Sequence, residues 1–207
     1  MEDGVIKYTI DWQNENQLTE TDIKMLNECR TLLWQKKLIG IDESGVGYGN
    51  ISIRHAIVPN SFIISGTQTG QHQTLTTAQY ALVTKWKIKN NSLFCIGNTR
   101  ASSEALTHAI FYEYNTDYKA VIHIHNDYIW QKYLHKLPTT PQNIAYGTPM
   151  MADSVRFLLS SKRVNLAQKV IIMGGHKDGI LAFGESLQAA TQTLLDLYHE
   201  VPRIADS

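Results

Sequence analysis

The residues best suited to chemistry are histidines. The chain has eight of them in 207 residues, and two, His123 and His125, end the apolar run Ala120-Val121-Ile122. That run reads as a strand. Side chains alternate along a strand, so His123 and His125 project from one face. Two imidazoles on one rigid face suit a transition metal; two histidines that merely alternate are the bland alternative. His176 follows Gly174-Gly175 between two strand-like runs, where glycines let the backbone approach a neighbour closely. Alone, it reads as a turn histidine.

Ser102-Ser103-Glu104 opens a helical stretch. Unpaired N–H groups and the positive dipole end make such a start an anion site, although an ordinary N-cap explains the serines equally well. Two similar small polar clusters exist. Gly49-Asn50-Ile51-Ser52 leads into a strand, and Ser65-Gly66-Thr67 follows one. Three such loops together would wrap a phosphate with hydroxyl, amide and backbone donors. Gly45-Val46-Gly47-Tyr48-Gly49 departs from the GxGxxG fingerprint and no long helix follows it, which argues against a dinucleotide loop.

The elements that must position these groups follow from periodicity. Residues 1–17 read as an N-terminal arm with a short strand at Val5–Ile10. Ile23, Leu26, Cys29, Leu33 and Trp34 form a helical stripe within Leu18–Leu38, capped by Thr19 or Thr21. Gly40–Gly49 reads as loop. Ile51–Val58 and Phe62–Ile64 read as strands, Leu75–Ile88 as a helix, Leu93–Ile96 as a strand and Ser102–Tyr114 as a helix capped by Ser102 or Ser103. Ala120–Ile124, Val170–Met173 and Ile180–Phe183 read as strands; 149–160 and 185–200 carry helical stripes. Several strand pairs have links too short for a parallel crossover. The expected fold is therefore α/β: a central mixed, mostly antiparallel sheet flanked by helices, in one domain over residues 1–207.

Composition narrows the function. Nineteen basic and nineteen acidic residues give a formal net charge of zero, which argues against nucleic-acid or anionic-membrane partners. No apolar stretch approaches the roughly 18–20 residues that span a bilayer, and the start, MEDGVIKYTIDWQ, lacks the features of a secretory signal. Two isolated cysteines, Cys29 and Cys95, make neither a disulfide framework nor a cysteine-based zinc site. A cytoplasmic setting is expected.

Taken in order, the pieces resemble the class II aldolase/adducin family. That family holds fuculose-phosphate and rhamnulose-phosphate aldolases, ribulose-phosphate 4-epimerases and methylthioribulose-phosphate dehydratases. The matching stretches are Gly49-Asn50-Ile51-Ser52-Ile53-Arg54, Ser65-Gly66-Thr67, Ala101 to Phe111, Ala120 to His125, Tyr146-Gly147-Thr148-Pro149, and Gly174-Gly175-His176 through Gly184. They span roughly residues 20–200.

The resemblance implies a three-layer fold and a zinc or similar divalent ion held by His123, His125 and His176. It implies that Glu104 lies at the same ion and serves as the acid/base, leaving the metal when substrate arrives. It implies that Asn50, Ser65, Gly66, Ser102 and Ser103 bind a substrate phosphate. It also implies a homotetramer with sites at subunit boundaries and a further acid from a neighbouring chain; Tyr128, Tyr133 and Tyr146 are candidates by neighbourhood alone. His108, four residues after Glu104 and on the same helical face, reads as a structural histidine. Members of the family often carry glycine directly after the third histidine. Here Lys177-Asp178-Gly179 follow instead, which lengthens the turn and alters the rim of the site.

Such groups fit aldol cleavage of a small phosphorylated ketose. Cleavage next to a carbonyl generates an enediolate, which a bound cation stabilises by several kcal/mol as a Lewis acid. Three neutral imidazoles keep the ion's charge and leave positions open for substrate oxygens. A carboxylate within reach moves the proton, worth about 10²–10⁴-fold. The same equipment serves 4-epimerisation or dehydration of a sugar phosphate. A non-catalytic, adducin-like binding module is the third expectation, and it predicts lost ligands where this chain keeps all four.

Overall fold

Alternating side chains place the sheet between two helical layers. Phe62, Ile64, Ala81, Val83, Val121, Ile171, Leu181 and Phe183 are buried in one apolar cluster. Their sequence neighbours Ile63, Leu82, Ile122, Ile172, Ile180 and Ala182 are buried in another. Both faces of the strands are thus covered. The computed structural model describes residues 5–161 and 165–201.

Among the described residues ten strands form: β1 (Thr9–Gln13), β2 (Gly40–Ile41), β3 (Gly47–Tyr48), β4 (Asn50–Arg54), β5 (Phe62–Ser65), β6 (Tyr80–Lys87), β7 (Ser92–Ile96), β8 (Ala120–His125), β9 (Val170–Ile172) and β10 (Gly179–Gly184). Eight of them make one sheet in the order β1-β7-β6-β5-β4-β8-β10-β9, while β2 and β3 pair separately. Within that sheet β1 and β7 run parallel and the other neighbours antiparallel. Five α-helices among the described residues accompany them: α1 (Glu20–Gln35), α2 (Ala105–Tyr114), α3 (Asp127–Tyr133), α4 (Pro149–Ser160) and α5 (Leu187–His199). Helices α2 and α4 supply Leu106, Ile110, Val155 and Leu159 to the first cluster. Helices α1 and α5 supply Ile23, Leu26, Leu33, Leu187 and Leu194 to the second. The mixed, mostly antiparallel three-layer architecture matches the expected fold class.

Local signals set the helix starts. Thr19 accepts from Asp22 N–H while the Asp22 carboxylate accepts from Thr19 N–H, a reciprocal capping box. Thr148 and Ser186 cap α4 and α5, and proline occupies the first turn of α4.

Four expectations need correction. The stretch 75–88 is not a helix: Thr77–Gln79 makes a single 3₁₀ turn and Tyr80–Lys87 is strand β6. Tyr80 and Leu82 face one apolar layer and Ala81 and Val83 the other, so no polar face marks the period of two until Lys85 and Lys87 in its second half. A short run buried on both sides does not separate helix from strand by periodicity. The strand of the arm lies at Thr9–Gln13 instead of Val5–Ile10, because it takes its register from β7; residues 1–4 fall outside the described residues. Gly40–Gly49 contains the β2–β3 hairpin. Helix α2 starts at Ala105, not Ser102: its N-cap is Glu104, with no side-chain cap bond, and Ser102 and Ser103 sit in the turn before it. Helix α3 is an element the sequence reading left out.

Candidate functional site

Strand β8 carries His123 and His125 at its last turn of alternation. The face that buries Val121 against α2 and α4 presents both imidazoles. Next to β8, Asn50 opens β4 and stands directly opposite His123 in the ladder. On the other side β10 places Gly179 opposite His125. The turn between β9 and β10 brings His176 alongside. Its glycines behave as expected: a Cβ on Gly174 or Gly175 would lie 2.2 Å from the Thr140 carbonyl oxygen or 1.9 Å from that of Ile144. Only glycine permits so close a backbone approach.

The imidazoles converge. One ring nitrogen from each of His123, His125 and His176 lies within 4.8 Å of the others. His123 Nε2 is 3.0 Å from His125 Nε2 and 2.8 Å from Glu104 Oε2. Glu104 Oε1 is 3.3 Å from His176 Nδ1, without hydrogen-bond alignment. Glu104, His123 and His176 are all buried. His123 Nδ1–H donates to the Ile180 carbonyl at 3.2 Å, which leaves Nε2 as the nitrogen that faces Glu104 and His125. Three ring nitrogens and a carboxylate then face one another across a few ångströms. Such a donor set fits a divalent cation: hard and borderline nitrogen and oxygen ligands, a fixed tautomer, and a buried carboxylate oxygen lacking a hydrogen-bond partner.

Electrostatics agree with that arrangement. Burial pushes the Glu104 carboxyl up, but His123 and His176 outweigh it and hold the group well below the usual carboxylate range. Burial, reinforced by His123 and His176, drives His125 well below the usual imidazole range and keeps it neutral.

Beside the imidazoles opens a cleft with about 370 Å³ of empty space, open solvent at its mouth included. Asn50, Gly66, Ser102, Ser103 and Glu104 line it together with the three histidines. Gly66 bridges to Ala101, which draws the loop after β5 against the turn before α2. Ser65 lies behind this wall: it is buried, its hydroxyl accepts from Ile51 N–H at 3.2 Å and its carbonyl accepts from Ser102 N–H at 3.3 Å. Its side chain therefore holds β4 and β5 together beneath the cleft. Gly49, with φ of 75°, turns the chain into β4 where a Cβ would meet Ile39 at 2.8 Å. Lining residues outside the expected metal and phosphate sets are Gly47, Tyr48, Gly49, Thr67, Gln68, Thr69 and Gly70, besides Tyr146. The glycine and threonine content after Gly66 was the one available signal for Gln68, Thr69 and Gly70.

Among the tyrosines, Tyr146 lines the cleft and stacks on His176, with centroids 4.5 Å apart at 25°. Tyr128 is exposed, and the Tyr133 hydroxyl bonds Glu200 on the surface. His108 is structural in its contacts: its Nδ1 pairs with the Ser52 hydroxyl at 2.7 Å, which also pairs with the Tyr112 hydroxyl at 2.7 Å. Burial pushes its pKa down to about 3. Below the usual pKa of 6.5 the unfolded chain takes up a proton that folded His108 refuses. Stability of the metal-free protein then falls by about 1.4 kcal/mol per pH unit from this group as the solution is acidified. Thermal melts of wild type and His108→Gln between about pH 7 and 4.5 measure it: the variant is expected to show the shallower slope, and equal slopes would refute the assignment.

Comparisons with known proteins agree with this geometry. Residues 40–199 match the family model of the class II aldolase and adducin N-terminal domain. No curated protein sequence matches the chain. Among solved structures, a sugar-phosphate aldolase from Thermotoga maritima superposes with a TM-score of 0.66 at 16% identity, over 87% of this chain and 91% of that one. An L-fuculose-1-phosphate aldolase from Thermus thermophilus gives 0.58 at 17% identity, over 88% and 95%. YgbL from Klebsiella pneumoniae gives 0.64 at 18%, over 88% and 87%. At these identities the superpositions speak for the fold alone. The family match covers most of the chain, from the hairpin before β4 to the end of α5, and the protein is a member of the class II aldolase and adducin N-terminal domain family.

Proposed function

We propose that the protein is a zinc-dependent, aldolase-type lyase that cleaves a small phosphorylated ketose, acting in the cytoplasm as a homotetramer. The observation that carries the reading is the meeting of His123, His125 and His176 with Glu104 at 2.8 Å, beside a cleft walled by small polar residues.

In this reading His123, His125, His176 and Glu104 hold the ion. When bound, the cation supplies Lewis-acid stabilisation to the oxyanion that forms next to the breaking carbon–carbon bond. Asn50, Ser102 and Ser103 offer the phosphate amide and hydroxyl groups, and Gly66, whose own N–H is donated to the Gln79 carbonyl, lets it come close to the wall; Ser65 supports them from behind. That grip lies away from the reacting carbon, so its binding energy holds the sugar in position. Glu104, kept ionised by the imidazoles beside it, takes the proton from the substrate hydroxyl. Imidazole ligands bring no negative charge of their own, so an ion held by them would favour a developing negative charge.

Two measurements test the proposal. Metal analysis of the purified chain is expected to find about one zinc per protomer, and none in a His123→Ala/His125→Ala/His176→Ala variant. Incubation with phosphoketoses is expected to release a triose phosphate. Formation of an isomer of unchanged mass assigns 4-epimerisation instead, and loss of water assigns dehydration. A metal-free wild type that turns over none of them would leave an adducin-like binding module.

A further inference from the structure

The family match begins at residue 40, and every nitrogen and oxygen that faces the cation position belongs to the matched region. The arm before it nevertheless reaches the site twice. Tyr8 is buried, and its hydroxyl lies 2.8 Å from the Ser102 carbonyl and 3.1 Å from that of Ala101, which it shares as acceptors under the turn leading to Glu104. Lys7 Nζ sits 3.3 Å from the centroid of the Tyr146 ring and donates to the Tyr146 carbonyl at 3.2 Å. That ring also stacks on the His176 imidazole, with centroids 4.5 Å apart. One face of an aromatic ring holds one partner at such distances, so ammonium and imidazole take opposite faces. The result is a column: ammonium, phenol ring, imidazole.

We infer that Lys7 is a positioning residue for the metal site, fixing His176 through Tyr146, and that the N-terminal arm thereby completes the site. The inference rests on the reading that His123, His125 and His176 hold a divalent cation. A half-buried ammonium binds an aromatic face more strongly than an exposed one. It also tethers the Tyr146 backbone, so the ring is clamped at both ends. A clamped ring leaves the imidazole one orientation, the role that outer partners play for metal-binding histidines, where their loss costs about 10–100-fold in affinity. Positioning and bare charge predict opposite signs. The ammonium repels a cation, so a Lys7 that acted by charge alone would weaken metal binding, and its removal would tighten it.

The experiment titrates Co²⁺ into the full chain against a competing chelator and records the visible spectrum of the loaded protein. Lys7→Met is expected to bind Co²⁺ about tenfold more weakly, within the span set by outer partners, with altered absorption bands. Lys7→Arg, which keeps a cation over the ring, is expected to restore both. Tyr146→Leu, which removes the middle of the column, is expected to weaken binding at least as much; should it fail to fold, Lys7→Met decides, because Lys7 lies outside the apolar core. A Lys7→Met protein that binds Co²⁺ with wild-type or higher affinity and an unchanged spectrum overturns the inference while leaving the metal reading intact. A wild type that takes up no Co²⁺ overturns the metal reading and this inference with it.

Discussion

Glu104→Gln is expected to lower kcat by about 10²–10⁴-fold, the contribution of a positioned general acid/base. Glutamine keeps the shape of the side chain, and its carbonyl oxygen still accepts from Asn50 Nδ2, which approaches Glu104 Oε2 at 3.4 Å. The substitution removes the capacity to take and return a proton at neutral pH, together with the negative charge that the carboxylate would bring to the ion. Because Glu104 is buried among imidazoles, alanine would confuse the result with an opened cavity. Steady-state kinetics with the phosphoketose that wild type cleaves gives the answer. A fall in kcat with KM little changed supports the role; a kcat within a few-fold of wild type would show that Glu104 only fills space.

His123→Ala has the second large effect. His123 touches His125, Glu104 and the Ile180 carbonyl at once, so it sits at the middle of the donor set. Its loss should weaken metal binding by more than the roughly 10–100-fold that an outer partner costs, and activity should vanish with the ion. Equilibrium dialysis followed by elemental analysis measures the loss. His108→Gln is the control. It too replaces a buried histidine near Glu104, but His108 is engaged with Ser52, so the protein should keep its metal. Equal metal loss in both variants would mean that burial, and not ligation, explains the effect.

The sequence made some of this legible and hid the rest for physical reasons. His123 and His125 could be placed because strand alternation is rigid: whichever strand pairs with β8, both rings share a face. Asn50 and Ser102 stood out as parts of short polar clusters at element ends, which is where backbone donors go unpaired. Ser65 belonged to such a cluster too, yet its hydroxyl was needed by Ile51 N–H, a demand visible only once β4 and β5 are paired. Strand β6 misled because its first half is apolar on both sides. Tyr146 was a candidate only by neighbourhood and by the Tyr146-Gly147-Thr148-Pro149 stretch. It reaches His176 through a loop, and another of its contacts, Lys7, is 139 residues away. Contacts of that separation are set by packing, and no window of sequence contains them.

The ladder around β8 also constrains how this gene can vary. Asn50 meets His123 across one junction and Gly179 meets His125 across the other, so three strands keep count together. Substitutions at Ala120, Ile122 or Ile124 would be felt as packing changes and tolerated within limits. Adding or deleting a single codon between Ala120 and His125 would swing an imidazole into the greasy layer built by α1 and α5 and bring an isoleucine into the donor cluster. Variation in chain length should therefore accumulate outside these strands. Lys177 and Asp178 lie in the turn between His176 and β10, outside these strands, where a change of length would leave the count undisturbed.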